Sequence, residues 1–188
     1  MVSQLKVNEI IKQSGSSITI GESGDTITLG AALPVGSGGT GATTLAGAGL
    51  SVTPYFLVKL TSAQSIANNT EVKVQFNSET FDSGGYFDNS TNYRWTPTSG
   101  KYFVFTQIRI QVNSSFSHIG CVIKKNGSNV AAANNDNNYY HTVATQSIVD
   151  MNGTDYLEAY AVQNSGSSQN ISGDATWVFF GGYKLIGV

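Results

Sequence analysis

The sequence predicts an all-β protein, a two-sheet antiparallel sandwich head carried on a slender N-terminal β stem, and three observations predict it. From Tyr55 onward the chain is a series of short alternating or apolar segments divided by Gly, Asn and Ser clusters, with no convincing helical period. All of the aromatic residues, 9 Tyr, 9 Phe and 2 Trp, lie at or beyond Tyr55, so only the C-terminal part can build a substantial core. Turn signals such as Lys125-Asn126-Gly127 and Met151-Asn152-Gly153 fall between the segments, as they do in sandwiches of short strands.

Strands are predicted over Tyr55–Leu60, Glu71–Phe76, Lys101–Val112, Ile119–Lys124, His141–Met151, Asp155–Val162 and Ala175–Leu185. Three regions follow: a β stem and anchor over residues 1–32, a Gly-rich connector over 33–54 and the head over 55–188. In the stem, Ser17-Ile18-Thr19-Ile20-Gly21 recurs as Thr26-Ile27-Thr28-Leu29-Gly30, with Glu22-Ser23-Gly24-Asp25 as the turn between. Each copy alternates an aliphatic residue with Thr, the period of a strand with one apolar face. A lone hairpin of this size is only marginally stable in water, so its Ile faces need a partner. Three identical chains around one axis would supply it.

The connector contains Gly36-x-Gly38-x-x-Gly41, the glycine spacing of a dinucleotide fingerprint. That chemistry also needs a preceding buried strand, a following helix and an acidic residue about 20 positions on. Pro34 stands where the strand should end, and no acidic residue occurs between the glycines and Glu71. The segment reads as a linker, and nucleotide binding is not expected.

Length and composition narrow the function further. The 188 residues suit one domain with an appendage. Charged residues make up 12% of the chain, about half of the roughly 25% usual in soluble proteins. With a formal net charge of −2 and no basic run, neither nucleic acid nor an anionic membrane surface is an expected partner. No stretch approaches the ~18 apolar residues of a membrane span, so no membrane insertion is expected. Met1-Val2-Ser3-Gln4-Leu5-Lys6 lacks the apolar centre of a signal peptide, which predicts synthesis in a cytosol even if the protein works outside one. On that expectation the six Asn-x-Ser/Thr sequons, starting at Asn68, Asn89, Asn113, Asn126, Asn152 and Asn170, follow from composition alone. The single cysteine, Cys121, lies in the apolar run Ile119-Gly120-Cys121-Val122-Ile123 and is expected to be a buried structural thiol.

No catalytic constellation stands out. His118 and His141 are the only histidines, twenty-three residues apart, and both read as strand histidines rather than metal ligands. There is no Gly-x-Ser-x-Gly elbow and no Asp-x-Asp-x-Asp calcium cluster. Glycan cleavage would need two carboxylates about 5–10 Å apart across a cleft. The head offers Glu71, Glu79, Asp82, Asp88, Asp136, Asp150, Asp155, Glu158 and Asp174. Most of them sit beside Gly, Asn or Ser, where Asp commonly caps a turn. A non-enzyme without metal or cofactor is therefore expected.

Partner contact is expected on loops held by the scaffold. Two loops combine aromatic rings with polar groups, a mixture suited to sugar faces and hydroxyls. In 82–89 the candidates are Tyr86 and Asn89. In 134–140 they are Asn134, Asn135, Asp136, Asn137, Asn138, Tyr139 and Tyr140. Ser165-Gly166-Ser167-Ser168-Gln169-Asn170 is a third loop, polar only. The alternative for the tyrosines is packing at a subunit interface, where Tyr is enriched.

Over roughly Tyr55 to Val188 the sequence resembles the C1q/TNF-like jelly-roll superfamily. The strongest match is Pro97-Thr98-Ser99-Gly100-Lys101-Tyr102-Phe103, similar to the Pro-x-x-Gly-x-Tyr-[Phe/Tyr] run that opens a central strand there. Val104 departs from the family's usual Phe. The turn Lys125-Asn126-Gly127, the approach Asn152-Gly153-Thr154-Asp155-Tyr156-Leu157 and the close Phe180-Gly181-Gly182-Tyr183-Lys184-Leu185 follow in the family's order, with Thr154 splitting its Gly-Asp pair. The resemblance implies a ten-strand jelly roll packed as a threefold bundle, with stems gathered along one axis.

The N-terminal part is similar to something else. Val7-Asn8-Glu9-Ile10-Ile11, the Ser17–Gly21 strand and Gly36-Ser37-Gly38-Gly39-Thr40-Gly41-Ala42-Thr43-Thr44 resemble the stems and connectors of tailed-phage tail fibres. Together these resemblances imply a homotrimeric virion appendage, a tail fibre or spike, exposed on the particle surface. Its stem would dock on another virion protein and its head would touch a host-surface glycan or protein. The alternatives are a capsid-decorating or tail-bracing protein without host contact, and a free C1q-like glycan-binding module.

Overall fold

A computed structural model describes residues 53–112, 118–136 and 141–186, together with positions 23, 24 and 26. Ser23 and Gly24 form an exposed turn, with Gly24 at φ 100°. The rest of the predicted stem, and of the connector apart from Thr53 and Pro54, lies outside the described residues. The chain divides between Gly49 and Leu50 into two units, and every described strand belongs to the second.

The described residues form thirteen strands: β1 (Tyr55–Lys59), β2 (Gln64–Ile66), β3 (Val72–Lys73), β4 (Ser78–Asp82), β5 (Phe87–Asp88), β6 (Arg94–Trp95), β7 (Gly100–Gln111), β8 (His118–Lys125), β9 (Ser128–Asn135), β10 (Thr142–Met151), β11 (Leu157–Asn164), β12 (Gln169–Ile171) and β13 (Phe179–Lys184). One sheet has the order β2-β12-β7-β13-β1-β4, with β10 on the opposite edge of β7, and the other has the order β5-β6-β11-β8-β9, with β3 also on β11. Every pairing is antiparallel. The count exceeds ten because β2, β3, β5, β6 and β12 are short pairings of two or three residues each.

β7 is the spine of the first sheet. Tyr102, Val104, Thr106, Ile108 and Ile110 alternate inward and are buried, the period of two that a pleated strand imposes. Burying each large apolar side chain stabilises the fold by about 1.5–3 kcal/mol. Aromatic rings join the sheets across the core. Phe56 of the first sheet stacks on Trp95 of the second at 4.2 Å, Phe180 meets Phe56 edge-on at 4.9 Å, and Tyr102 meets Trp95 edge-on at 5.1 Å.

The run from Pro97 to Tyr102 has a local physical reason. Gly100 sits at φ 142°, a region that L side chains rarely adopt, and the Lys184 side chain crosses the place a Cβ would occupy. Two residues on, the Tyr102 hydroxyl donates to the Thr98 carbonyl at 2.8 Å, tying the start of β7 to the segment before it.

Several predicted boundaries move. Of Glu71–Phe76 only Val72–Lys73 forms a strand, on β11; Val74 N also donates to the Ala159 carbonyl of β11 at 2.9 Å, and Val74 and Phe76 are fully buried. The predicted strand at Asp155 begins at Leu157, because the Asp155 carboxylate caps the preceding turn, accepting from Asn152 N at 3.0 Å and Asn126 Nδ2 at 2.6 Å. The last strand begins at Phe179 because Asp174 holds a turn over 174–178, accepting from Thr176 N at its carboxylate and from Trp177 N and Val178 N at its carbonyl. β9, Ser-Asn-Val-Ala-Ala-Ala-Asn-Asn, has little intrinsic strand preference. It forms because Asn126 (φ 50°) and Gly127 (φ 81°) turn the chain back along β8, a pair of left-handed residues suited to a two-residue hairpin.

Candidate interaction surface

The described loop candidates lie on different elements. Asn134 and Asn135 are on edge strand β9, paired with Gly120 and Ile119, and not in a loop as expected. The hairpin register carries the strand to Asn135, and only exposed Asp136 follows it before the undescribed stretch. Asn137, Asn138, Tyr139 and Tyr140 lie outside the described residues.

Tyr86 is half-buried against the core, folded back over Gly84, and its carbonyl accepts from Thr96 N at 2.9 Å. Asn89 lies, half-buried, in a turn organised by Asp88, whose carboxylate accepts from Ser90 N, Thr91 N, Asn92 N and Asn92 Nδ2. Those bonds, Thr91's foremost, hold the Asp88 carboxyl well below the usual carboxylate range. In the expected polar loop, Gln169 and Asn170 belong to β12.

Several of the carboxylates serve the scaffold. Asp82 Oδ2 accepts from Phe87 N at 2.7 Å, Asp155 pairs with Lys125 at 2.9 Å, Glu158 pairs with Lys73 at 2.5 Å, and Glu71 pairs with Lys124. Lys124 also lies 4.6 Å from the Tyr160 ring, and Arg94 lies 4.5 Å from the Tyr156 ring. Among the described residues no three His, Cys, Asp or Glu side chains gather to hold a metal ion.

A different surface emerges on the first sheet. Cross-strand register sets its outward side chains in rungs. One rung is Tyr55, Tyr183, Phe103 and Ile148 across β1, β13, β7 and β10. The next is Phe81, Leu57, Gly181, Phe105 and Gln146. The third is Lys59, Phe179, Gln107 and Ala144, beyond which β7 presents Arg109 opposite Thr142. The face is therefore apolar over two rungs and turns polar toward the C-terminal end of β7. Ile148 is 62% exposed, Tyr183 48%, Phe81 44% and Tyr55 42%, so large apolar groups meet water on adjacent strands. Their rings already touch, Tyr55 to Phe81 at 5.4 Å and Phe103 to Tyr183 at 5.6 Å.

The outer face of the second sheet is built differently. Lys73, Lys124, Glu158 and Tyr160 lie on it, with Lys73 paired to Glu158, Lys124 paired to Glu71 and the Tyr160 hydroxyl donating to Glu158 at 3.1 Å. Burial and the neighbouring Glu158 charge push the Tyr160 phenol up to about 12. A contiguous apolar patch beside such a polar face makes the first sheet the candidate interaction surface. Sequence reasoning missed it because β7 carries aromatic residues on both faces, and alternation alone does not say which face turns inward.

No family model matches the sequence, and no curated protein matches it. Solved structures do match the fold. Murine APRIL superposes with a TM-score of 0.57 at 12% identity, over 71% of this chain and 100% of that one. A second crystal structure of murine APRIL, at pH 5.0, gives 0.56 at 13% identity with the same coverage. The globular domain of zebrafish complement 1qA gives 0.50 at 12% identity, over 70% of this chain and 97% of that one. At such identities the likeness speaks for architecture alone, and the architecture agrees with the sheet order: the described head is a C1q/TNF-like jelly roll.

Proposed function

We propose that this chain is the subunit of a homotrimeric, non-catalytic virion appendage of the tail-fibre or spike class. Its stem docks on another virion protein, and its head contacts the host cell surface. The observation that carries the assembly is the aromatic outer face of the first sheet, where Tyr55, Phe81, Phe103, Tyr183 and Ile148 stand partly or largely exposed on neighbouring strands. Two further copies of the chain are the occupants that suit it. The patch lies on a sheet face rather than an edge, its centre is aromatic as subunit interfaces tend to be, and the C1q/TNF-like resemblance implies a threefold bundle. The tail-fibre-like run Gly38-Gly39-Thr40-Gly41-Ala42-Thr43-Thr44 supports the virion setting.

Light scattering of the whole chain after size exclusion tests the assembly, with a trimer as the expected mass and a stable monomer as the overturning result. Host contact is tested by competition. Purified protein is expected to block adsorption of particles that carry the appendage. Labelled particles whose adsorption is unaffected by saturating protein would leave the capsid-decorating or tail-bracing reading in its place.

A further inference from the structure

We propose that the recess at the Arg109 end of the first sheet binds an acidic saccharide, with the Arg109 guanidinium taking the oxyanion and the surrounding amides taking ring hydroxyls. This deepens the reading of the head as a contact domain by naming a ligand class, and rests on it only for the biological setting.

The recess encloses about 490 Å³ and is walled by Arg109, Gln111 and Val112 at the end of β7 and by His141 just before β10. Ser168, Gln169 and Asn170, where the chain enters β12, close the remaining side. The volume lies within the range of small-ligand sites. Among the described residues Val112 is the one aliphatic residue in the wall, and none of them is a carboxylate. Such a lining is poor for a lipid or an aromatic ligand and good for a hydroxyl-dense one, since amide and hydroxyl groups donate and accept in the same small volume.

The charge is already in place. The Arg109 guanidinium lies 5.3 Å from the Trp177 ring centroid, while the ion pairs of the described residues engage Lys73, Lys124 and Lys125. A guanidinium resting on a ring keeps the N–H groups on its edge for a planar oxyanion. The Trp177 platform is itself fixed. Gln107 Nε2 donates to the Trp177 carbonyl at 3.3 Å, Trp177 N donates to the Asp174 carbonyl at 3.0 Å, and Ser172 N donates to the Arg109 carbonyl at 2.8 Å. Gly173 lets this turn close against the backbone of Ser62 and Ala63, where a Cβ would stand 2.6 Å from Ala63 N.

The opposite wall is braced as well. Gln169 Nε2 donates to Ser165 Oγ and Ser167 Oγ, each at 3.0 Å, so the loop that presents Ser168 and Asn170 is held from within. A preformed site loses little conformational entropy on binding. A recess larger than one oxyanion, with a single fixed cation and amides around it, suits an acidic group carried on a sugar.

The test titrates the full-length protein by calorimetry with digalacturonate, sialyllactose and a phosphorylated hexose, each beside its neutral counterpart, and with inorganic phosphate alone. At least one acidic sugar is expected to bind saturably and at least about tenfold more tightly than its neutral counterpart, the scale of one charge-assisted contact. Arg109→Gln should abolish that preference and Arg109→Lys should reduce it, with the thermal midpoint unchanged. Equal affinity for acidic and neutral sugars overturns the proposal, as does inorganic phosphate binding as tightly as the sugars. Should Arg109→Gln unfold, the acidic-to-neutral comparison on the native protein still decides. Failure of host adsorption with sugar binding intact would count against the appendage reading alone.

Discussion

The ring of Phe105 lies over Gly181, its register partner across β7 and β13, so closely that a Cβ on Gly181 would stand 2.7 Å from Phe105 Cζ and 3.0 Å from the Phe56 carbonyl oxygen. The ring can rotate away, but the β1 backbone cannot. Gly181→Val is therefore expected to destabilise the head by about 1–3 kcal/mol through overpacking, read as a lower urea midpoint with an unchanged slope. A midpoint equal to wild type would mean that β13 has freedom to move away from β1.

Ile148 and Tyr183 are both large and outward-facing, on rung partners that flank Phe103. Because each is about half or more exposed in the single chain, Ile148→Asp combined with Tyr183→Asp should leave the subunit's own fold nearly unperturbed, within about 0.5 kcal/mol per site. In the assembly the same carboxylates would be buried without partners, which is costly. The double variant is expected to elute as a folded monomer with a native near-ultraviolet spectrum. Retention of the trimer would place the subunit interface elsewhere.

Acid should weaken the head through its turn caps. Asp88 is held low by hydrogen bonds from Thr91 N, Ser90 N and the Asn92 amide, and Asp155 by Lys125 and then Asn126. Both folded-state values lie below the unfolded carboxylate value near 3.9, so the unfolded chain binds more protons in acid. The stabilisation is present in full above that value and is lost as pH falls through it toward the folded values. Urea midpoints measured from neutral pH downward should stay level to about pH 5 and then drop. The Asp88→Asn, Asp155→Asn variant should show a shallower acid limb, and a limb parallel to wild type would remove these two caps as its cause.

Cys121 is fully buried on β8, and burial pushes its thiol up to about 12. The nucleophilic thiolate is thus nearly absent at neutral pH. Ellman's reagent should leave the native protein unmodified and react fully in urea. Rapid reaction without denaturant would contradict the packing of β8 against the core.

Local chemistry was legible where one residue type meets one backbone demand. Asn126-Gly127 announces a hairpin because both positions need left-handed backbone, and both have it. Pro97 through Tyr102 announces β7, whose opening needs the glycine at φ 142°. The Asp-rich turns were legible as caps, and Asp88, Asp155 and Asp174 cap. β9 was not legible, since three alanines and four polar residues become a strand only when a turn lays them along β8. For the same reason Asn134 and Asn135 read as loop.

By itself, then, the amino-acid order settled that the C-terminal chain is an all-β sandwich, since strand period, aromatic supply and turn residues are properties of short segments. Only the tertiary structure decided which face of β7 meets the core, and so gathered Tyr55, Tyr183, Phe103 and Ile148 into one exposed rung. The same pairing set Arg109 over Trp177, from distant parts of the chain. Register between strands is a long-range agreement, and a shift of one residue would turn every one of these side chains to the opposite face.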